Sequence, residues 1–473
     1  MLTDEVRGNP LDKRKGILVG VGVNKLEDKG RELVYMNDET MGLHSVILGT
    51  TGTGKTTLLR SIINQAIWMG WGVLVADMKF DYNLFTTAYA TAYHCGRTGQ
   101  FQFLSPYAIE KETGLLGQFG SNTYNPLKSI DSSISLTTAI LKAAEVTGQK
   151  MAFYEDVKEE IVDTLVRAFL STGKEFSFRD KWCVLEHPQG LRSLISKTTD
   201  PEVLVVLQNW LEQWTSSDNR TSAEFQKYVQ GAKMFFRKFS TGSLGRMLNS
   251  YNPDVTLKQV YNNSGILWVV LPSLLMDTTA KSVGKLLLSD LRYLIGNIQV
   301  TTLHRKPFLV VIDEFENFIF DGVTDLFDKG RSADVKMVVS HQSPRQIDKE
   351  HSREFRDIII GNTRTKYLLA TEDNEIAKYF AELMGKESDA ITVNYGGGIS
   401  SRDTENYVIS PTEITRMKDF ELVVRRKGEI YQGHLLAPPS DFELGVDCPN
   451  PRFTPRHDRS EGIRIYEEVI GDE

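Results

Sequence analysis

The hydrophobic period of the chain changes twice. From about Gly16 to Ser129 apolar residues come in short β-rich runs, at Ile17–Val23, Leu33–Met36, Ser45–Leu48, Gly72–Ala76 and Phe101–Leu104; runs of this length and content predict strands. From about Thr137 to Leu257 the spacing is helical. Val157, Ile161, Leu165 and Phe169 recur at every fourth position until Ser171-Thr172-Gly173 ends the pattern, and further helices are predicted around Val203–Trp214 and Phe225–Phe239. Strands return after Ser264, at Ile266–Leu271, Phe308–Ile312, Val335–Val339, Lys366–Leu369 and Glu421–Val424, with helices between them. The pattern predicts an α/β domain with a central twisted β-sheet, interrupted by an all-α insertion. The expected divisions are residues 1–136 (first part of the α/β domain), 137–257 (all-α), 258–440 (second part) and 441–473 (acidic C-terminal tail). No internal repeat is visible. The glycine-rich run from Asn394 to Asp403 reads as a flexible loop.

Chemistry enters at the third strand. Gly49-Thr50-Thr51-Gly52-Thr53-Gly54-Lys55-Thr56 satisfies G-x-x-x-x-G-K-[ST], between the strand-like Ser45–Leu48 and a run in which Leu58, Leu59, Ile62, Ile63, Ala66 and Ile67 recur at helical spacing. Glycines let the backbone curl so that its N–H groups converge on phosphates; Lys55 reaches the β/γ-phosphates and the Thr56 hydroxyl ligates magnesium. The nucleotide-binding set is Gly49, Thr50, Thr51, Gly52, Thr53, Gly54, Lys55, Thr56 and Thr57, with ATP and Mg2+ as ligands. A second element follows the insertion. Phe308-Leu309-Val310-Val311-Ile312 is an apolar strand that ends in Asp313-Glu314. Asp313 is the second candidate magnesium ligand, and Glu314 the group that polarises the attacking water. Alone, such a run could equally be a buried strand followed by an acidic helix start.

Composition changes this picture little. In 473 residues, 41% are hydrophobic and 25% charged, and the net charge is -7, so any nucleic-acid contact must come from a local patch. Cys95, Cys183 and Cys448 are far apart and lack metal-ligand spacing, which fits a reducing compartment. No run approaches the length of a membrane span, and Met1–Lys15 lacks the apolar core of a signal peptide.

The order of motifs resembles a known family. The phosphate loop, then Val73-Leu74-Val75-Ala76-Asp77-Met78-Lys79-Phe80-Asp81, Asp313-Glu314, Gly330-Arg331-Ser332 and Ser340-His341-Gln342-Ser343, is similar to the type IV secretion coupling proteins, conjugative ATPases of the FtsK/HerA superfamily. The resemblance runs from about Gly16 to Leu435. It implies a RecA-like P-loop fold and a hexameric ATPase that feeds DNA, as nucleoprotein, to a secretion channel at the cytoplasmic face of the bacterial inner membrane. It assigns Arg331, eighteen residues after Asp313, as an arginine finger acting on a neighbouring subunit, and Gln342 as a polar sensor of the γ-phosphate. An ordinary helix-end arginine and a turn glutamine are the bland alternatives. Lys79 matches the family's basic residue after the second strand, or is a solvated lysine. The implied catalytic set is Lys55, Glu314, Arg331 and Gln342.

Phe225 to Pro253 holds Lys227, Lys233, Arg237, Lys238 and Arg246 with no acidic residue, interleaved with Phe225, Tyr228, Phe235, Phe236 and Phe239. This is the composition of a nucleic-acid groove, or of an amphipathic helix with a basic outer face. Lys227, Lys233, Arg237 and Lys238 are the candidate DNA contacts. The family begins with two membrane-spanning helices that this sequence does not contain, so a soluble member, an anchor on another chain and a trimmed chain all remain open. The last segment, Asp441 to Glu473, has nine acidic and four basic residues; it reads as a docking tail or a solvated end, and the resemblance suggests a relaxase or substrate adaptor as its partner. Two rival functions stand beside the DNA motor: a protein-translocating ATPase without DNA contact, and a nucleotide-switched docking module.

Overall fold

In the computed structural model, residues 16–27, 30–37, 44–111, 113–144, 159–301, 304–320, 322–395, 398–436, 448–455 and 462–471 are described. The Met1–Lys15 segment, Val157 and parts of the C-terminal segment lie outside them.

Thirteen strands form in chain order among the described residues: β1 (Ile17–Asn24), β2 (Glu32–Met36), β3 (Ser45–Leu48), β4 (Gly72–Asp77), β5 (Phe101–Leu104), β6 (Ile266–Val270), β7 (Phe308–Ile312), β8 (Val335–His341), β9 (Thr365–Leu369), β10 (Lys386–Tyr395), β11 (Gly398–Tyr407), β12 (Glu421–Arg426) and β13 (Glu429–Leu435). Eleven make one sheet in the order β2-β1-β13-β12-β9-β3-β8-β7-β4-β6-β5. From β9 to β5 all neighbours are parallel, while β12, β13, β1 and β2 continue the sheet antiparallel. The principal helices are α1 (Lys55–Trp68), α2 (Tyr82–His94), α3 (Ser133–Ala144), α4 (Glu159–Ser171), α5 (Phe178–Glu186), α6 (Pro188–Lys197), α7 (Pro201–Trp214), α8 (Asn219–Ser240), α9 (Ser273–Thr301, broken at Asp277), α10 (Thr324–Gly330), α11 (Pro344–Glu350), α12 (Asn374–Met384) and α13 (Ile465–Ile470).

The parallel strands read as continuous apolar runs because both of their faces are covered. On one face Ile47, Val73, Val75, Trp268, Leu309 and Val311 pack under α1 and α2 with Leu58, Ile62, Ile63 and Phe85. On the other, Val46, Leu74, Leu267, Val310 and Val339 share one core with the helices of the 133–262 segment and with α9. The α/β class with an interposed helical segment is therefore as expected.

Two expectations need correction. The described residues of the run from Asn394 to Asp403, 394–395 and 398–403, are strand, not loop: β10 and β11 pair antiparallel from Lys386↔Tyr407 to Tyr395↔Gly398. A Gly-Gly pair between two runs is a hairpin signal, hidden here because the flanking strands carry Ser, Asp and Asn in place of an apolar stripe. The C-terminal segment is not simply solvated either. Phe453 stacks on Phe103 and Phe101, with ring centroids 5.4 and 6.0 Å away. Farther on, the Tyr466 N–H donates to Asp180 Oδ1 (3.2 Å), and Lys197 pairs with Glu468 at 2.6 Å. Average acidity masked the apolar Phe453, Ile463, Ile465 and Tyr466, all nearly buried.

Candidate nucleotide site

β3 delivers the chain to the phosphate loop with Leu48 buried beneath it, and α1 starts at Lys55 directly after the loop. Gly52 and Gly54 take φ of 89° and 112°, a region costly to any residue with a Cβ. At Gly54 space is a second constraint, since a Cβ there would lie 2.9 Å from Leu435 Cδ1 and 3.1 Å from Phe420 Cδ1. The loop is tied to the sheet on both sides. Thr50 N–H and Oγ1 donate to Ala370 O at 3.3 and 3.1 Å, and the Phe420 N–H donates to Thr53 O at 3.0 Å. Lys55 Nζ donates to the carbonyls of Gly49 (2.6 Å) and Thr50 (2.8 Å), so the ammonium is held within the curl of the loop. Burial lowers the Lys55 pKa, with the Asp313 carboxylate opposing it.

Because β3, β8, β7 and β4 are adjacent and parallel, their C-terminal ends converge on this loop. The resulting cleft, about 360 Å³, is lined by Thr51, Gly52, Gly54, Lys55, Thr56, Thr57, Lys79, Asp81, Asp313, Glu314, Ser340, His341, Gln342 and Phe420. It thus gathers Lys55, Thr56, Thr57, Asp313, Glu314 and Gln342 from the expected set. Asp313 is fixed at the end of β7: its N–H donates to Ala76 O at 3.1 Å, and its Oδ1 accepts from the Glu314 N–H (3.1 Å) and the Ser340 hydroxyl. The carboxylate's other oxygen and the Thr56 hydroxyl are hard donors lining the same cleft. That donor set fits magnesium, which takes one or two protein oxygens and fills its octahedron with phosphate oxygens and water. Among the described residues no cluster of three or more His, Cys, Asp or Glu side chains could hold a metal on its own.

Glu314 adopts φ 52° and ψ 52°, a left-handed conformation that costs a glutamate on the order of 1–3 kcal/mol. Its carboxylate forms an ion pair with Lys79. Lys79 is therefore partnered while its side chain stays 52% exposed. Burial works against the Lys79 charge, but the hydrogen bond to Glu314 and the charges of Glu314, Asp313 and Glu316 together outweigh it, and the pKa rises. Two carboxylates beside the site were not foreseen. Buried Asp77 accepts from the N–H groups of Lys79 (2.9 Å), Phe80 (2.8 Å) and Asp81 (2.9 Å), and burial, with Asp313 nearby, pushes its pKa up to about 6. Glu316 is pushed up to about 7, by burial first and then by Glu314 and Asp313. The sequence signal for Asp77 was a carboxylate ending an apolar strand, the same one that marked Asp313.

Gln342 follows β8 at the cleft, where its N–H donates to Gln346 Oε1 at 3.1 Å, within the capping box that starts α11. Arg331 is not in the cleft. It is exposed, after α10 and before β8 begins, at the opposite end of the sheet. There, burial first, and after it the charges of Lys336 and Arg331, depress the pKa of His44, the residue preceding β3. Seven residues of β8, about 20 Å of strand, separate Arg331 from Gln342.

The candidate DNA residues lie on α8, whose aromatics are core: Phe225, Phe235, Phe236 and Phe239 are at most 2% exposed. Lys233 pairs with Glu186 at 3.6 Å, Arg237 lies over the Trp182 ring, and burial lowers Lys238 to about 8. Lys227 is exposed. The amphipathic-helix reading accounts for this segment; four of its five rings are unavailable for stacking on bases.

Residues 307–419 match the family model "TraM recognition site of TraD and TraG", and residues 26–177 match "Helicase HerA, central domain". The type 4 coupling protein DotL of Legionella pneumophila subsp. pneumophila is 23% identical over 405 residues, which cover 76% of this chain and 51% of DotL. Among solved structures, the bacterial conjugative coupling protein TrwB superposes with a TM-score of 0.58 at 15% identity, over 90% of this chain and 96% of that one. The chain resembles a type IV coupling protein in sequence and in fold. The chain spans about half the length of DotL. A coupling protein with ADP and Mg2+ bound, TrwB again, matches with a TM-score of 0.55 at 15% identity, over 87% of this chain and 90% of that one. VirB4 of Thermoanaerobacter pseudethanolicus shares the fold with a TM-score of 0.52 at 12% identity, over 90% and 97% of the two chains. Among the described residues, no helix is long and apolar enough to cross a membrane.

Proposed function

We propose that this chain is the ATP-hydrolysing subunit of a type IV coupling machine, assembled as the hexameric ring its family resemblance implies, that hands a nucleoprotein substrate to a secretion channel. The observation that carries this reading is the convergence of Lys55, Thr56, Asp313, Glu314 and Gln342 on one cleft in a coupling-protein fold. Lys55 and the loop N–H groups bind the phosphates. Thr56 and Asp313 hold magnesium, whose charge offsets that of the phosphate oxygens. Glu314 orients water, and Gln342 senses the γ-phosphate. Arg331, at the far end of the sheet, can serve only the cleft of another subunit. The same family resemblance supplies the remaining partners: a relaxase or substrate adaptor and channel proteins, at the cytoplasmic face of the inner membrane.

A second reading, in which the transported polymer is protein, is favoured by the burial of the α8 aromatics, which removes the stacking surface that argued for DNA. ATP hydrolysis by the purified protein, measured across protein concentration with and without single- and double-stranded DNA, tests both. A steep rise with concentration is expected from ring assembly. Stimulation by DNA that weakens with salt supports the DNA motor; hydrolysis indifferent to DNA supports the protein pump; and no hydrolysis at any concentration overturns the ATPase reading.

A further inference from the structure

The far wall of the cleft holds an aromatic ring at a conformation aromatics avoid. Phe420 has φ of 67° and is 49% exposed, yet it lines the same cleft as Lys55 and Asp313. A bulky side chain at positive φ is a genuine outlier, and glycine would serve this turn without strain. Phe80 shares the same φ, but its ring is packed against Phe85 and Phe119 at 5.9 and 6.1 Å. Among the described residues Phe420 has no aromatic neighbour. Its backbone, by contrast, is pinned: the N–H donates to Thr53 O (3.0 Å) and the carbonyl accepts from the Leu435 N–H (2.9 Å).

Direction decides what the ring is for. Lys79, Asp313 and Glu314 lie over β4 and β7, so the γ-phosphate end of a nucleotide points to that side. The opposite end must leave the loop toward β9 and β12, and Phe420 is the residue immediately before β12. With Gly54 directly against its ring, Phe420 stands where the chain of phosphates gives way to sugar and base. We infer that the Phe420 ring is the platform on which the nucleobase stacks, with the Leu435 side chain as its apolar neighbour. The inference rests on the nucleotide-site reading above. It also gives the strain a purpose, since the left-handed turn is what leaves the ring half open to the cleft. Stacking on a ring face tolerates different bases, so the platform serves ATP and GTP alike.

Calorimetric titration of the full chain with Mg-ATP, Mg-GTP and Mg-tripolyphosphate tests it. Phe420→Ala and Phe420→Gly are expected to weaken both nucleotides by on the order of ten- to a hundredfold and to leave tripolyphosphate unchanged, while Phe420→Trp retains nucleotide affinity. Phe420→Gly, which also relieves the backbone, is expected to melt no lower than wild type. Unchanged ATP affinity in the alanine and glycine variants overturns the platform. So does a parallel loss of tripolyphosphate, which would make the ring a support for the loop. If wild type binds tripolyphosphate but gains nothing from a base, the platform alone fails; if it binds none of the three, the cleft reading fails and the platform with it.

Discussion

Arg331→Ala is expected to lower ATP hydrolysis by about 10³- to 10⁵-fold, the worth of an arginine finger in phosphoryl transfer, while nucleotide affinity stays at the wild-type level. The expectation follows from where the residue stands. Arg331 is exposed and lies beyond the N-terminal end of β8, whereas its own cleft sits at the C-terminal end. A substitution there cannot disturb Lys55, Asp313 or Glu314 by contact, so a loss of turnover has to arise in a second subunit. Mixing provides the direct check. Subunits carrying Arg331→Ala keep an intact Glu314, and subunits carrying Glu314→Gln keep an intact finger. Each is inactive alone, and a mixture regains part of the activity by forming composite sites. Turnover in Arg331→Ala close to wild type, or a mixture that stays inactive, would return this residue to the role of a helix-end surface charge.

Glu314→Gln is expected to lower turnover by about 10²- to 10⁴-fold, the range for a lost general base, with ATP binding retained. Glutamine keeps the size and the hydrogen-bonding reach of the side chain, and it inherits the same left-handed backbone, so the strain at φ 52° is common to both proteins. What it loses is the charge that pairs with Lys79 and the ability to take a proton. Single-turnover hydrolysis measured beside equilibrium ATP binding separates the two effects. If binding and turnover fall together, Glu314 acts by organising the cleft; if hydrolysis stays within about tenfold of wild type, another group is the base, and Glu316, in the same cluster, becomes the candidate to substitute next.

The phosphate loop was legible in the sequence because its chemistry is local, whereas Arg331 was reached only through the family resemblance. Gly49–Thr56 announces itself within a few positions, the Asp313-Glu314 pair gains its meaning only beside that loop, and the apolar strand before each one fixes the end of the sheet on which it emerges. The pairing of Lys79 with Glu314 depends on β4 lying beside β7, a fact of topology that no window of sequence contains. Phe420 is less legible still, since it reaches the loop only because β12 and β13 return antiparallel beside β9. β13 itself escaped notice: Gln432, Gly433 and His434 dilute its apolar alternation. On α8 the sequence offered two meanings for the same aromatic spacing, and only packing against α5 and α7 selects between them, with Phe239 against Phe178 and Phe225 against Trp210 and Trp214.

β8 is confined along its whole length. Its seven residues are all buried, and it is flanked on both sides by parallel neighbours, β3 and β7, so it can neither bend nor slide independently. One tip carries the residue that would feel the state of its own nucleotide; just before the other tip comes the residue that would act on the next. With the ring and the roles proposed above for Gln342 and Arg331, such a rod would work as a pushrod: a displacement at one tip would be passed along the buried strand to the other, and the sites of neighbouring subunits would be linked through one strand.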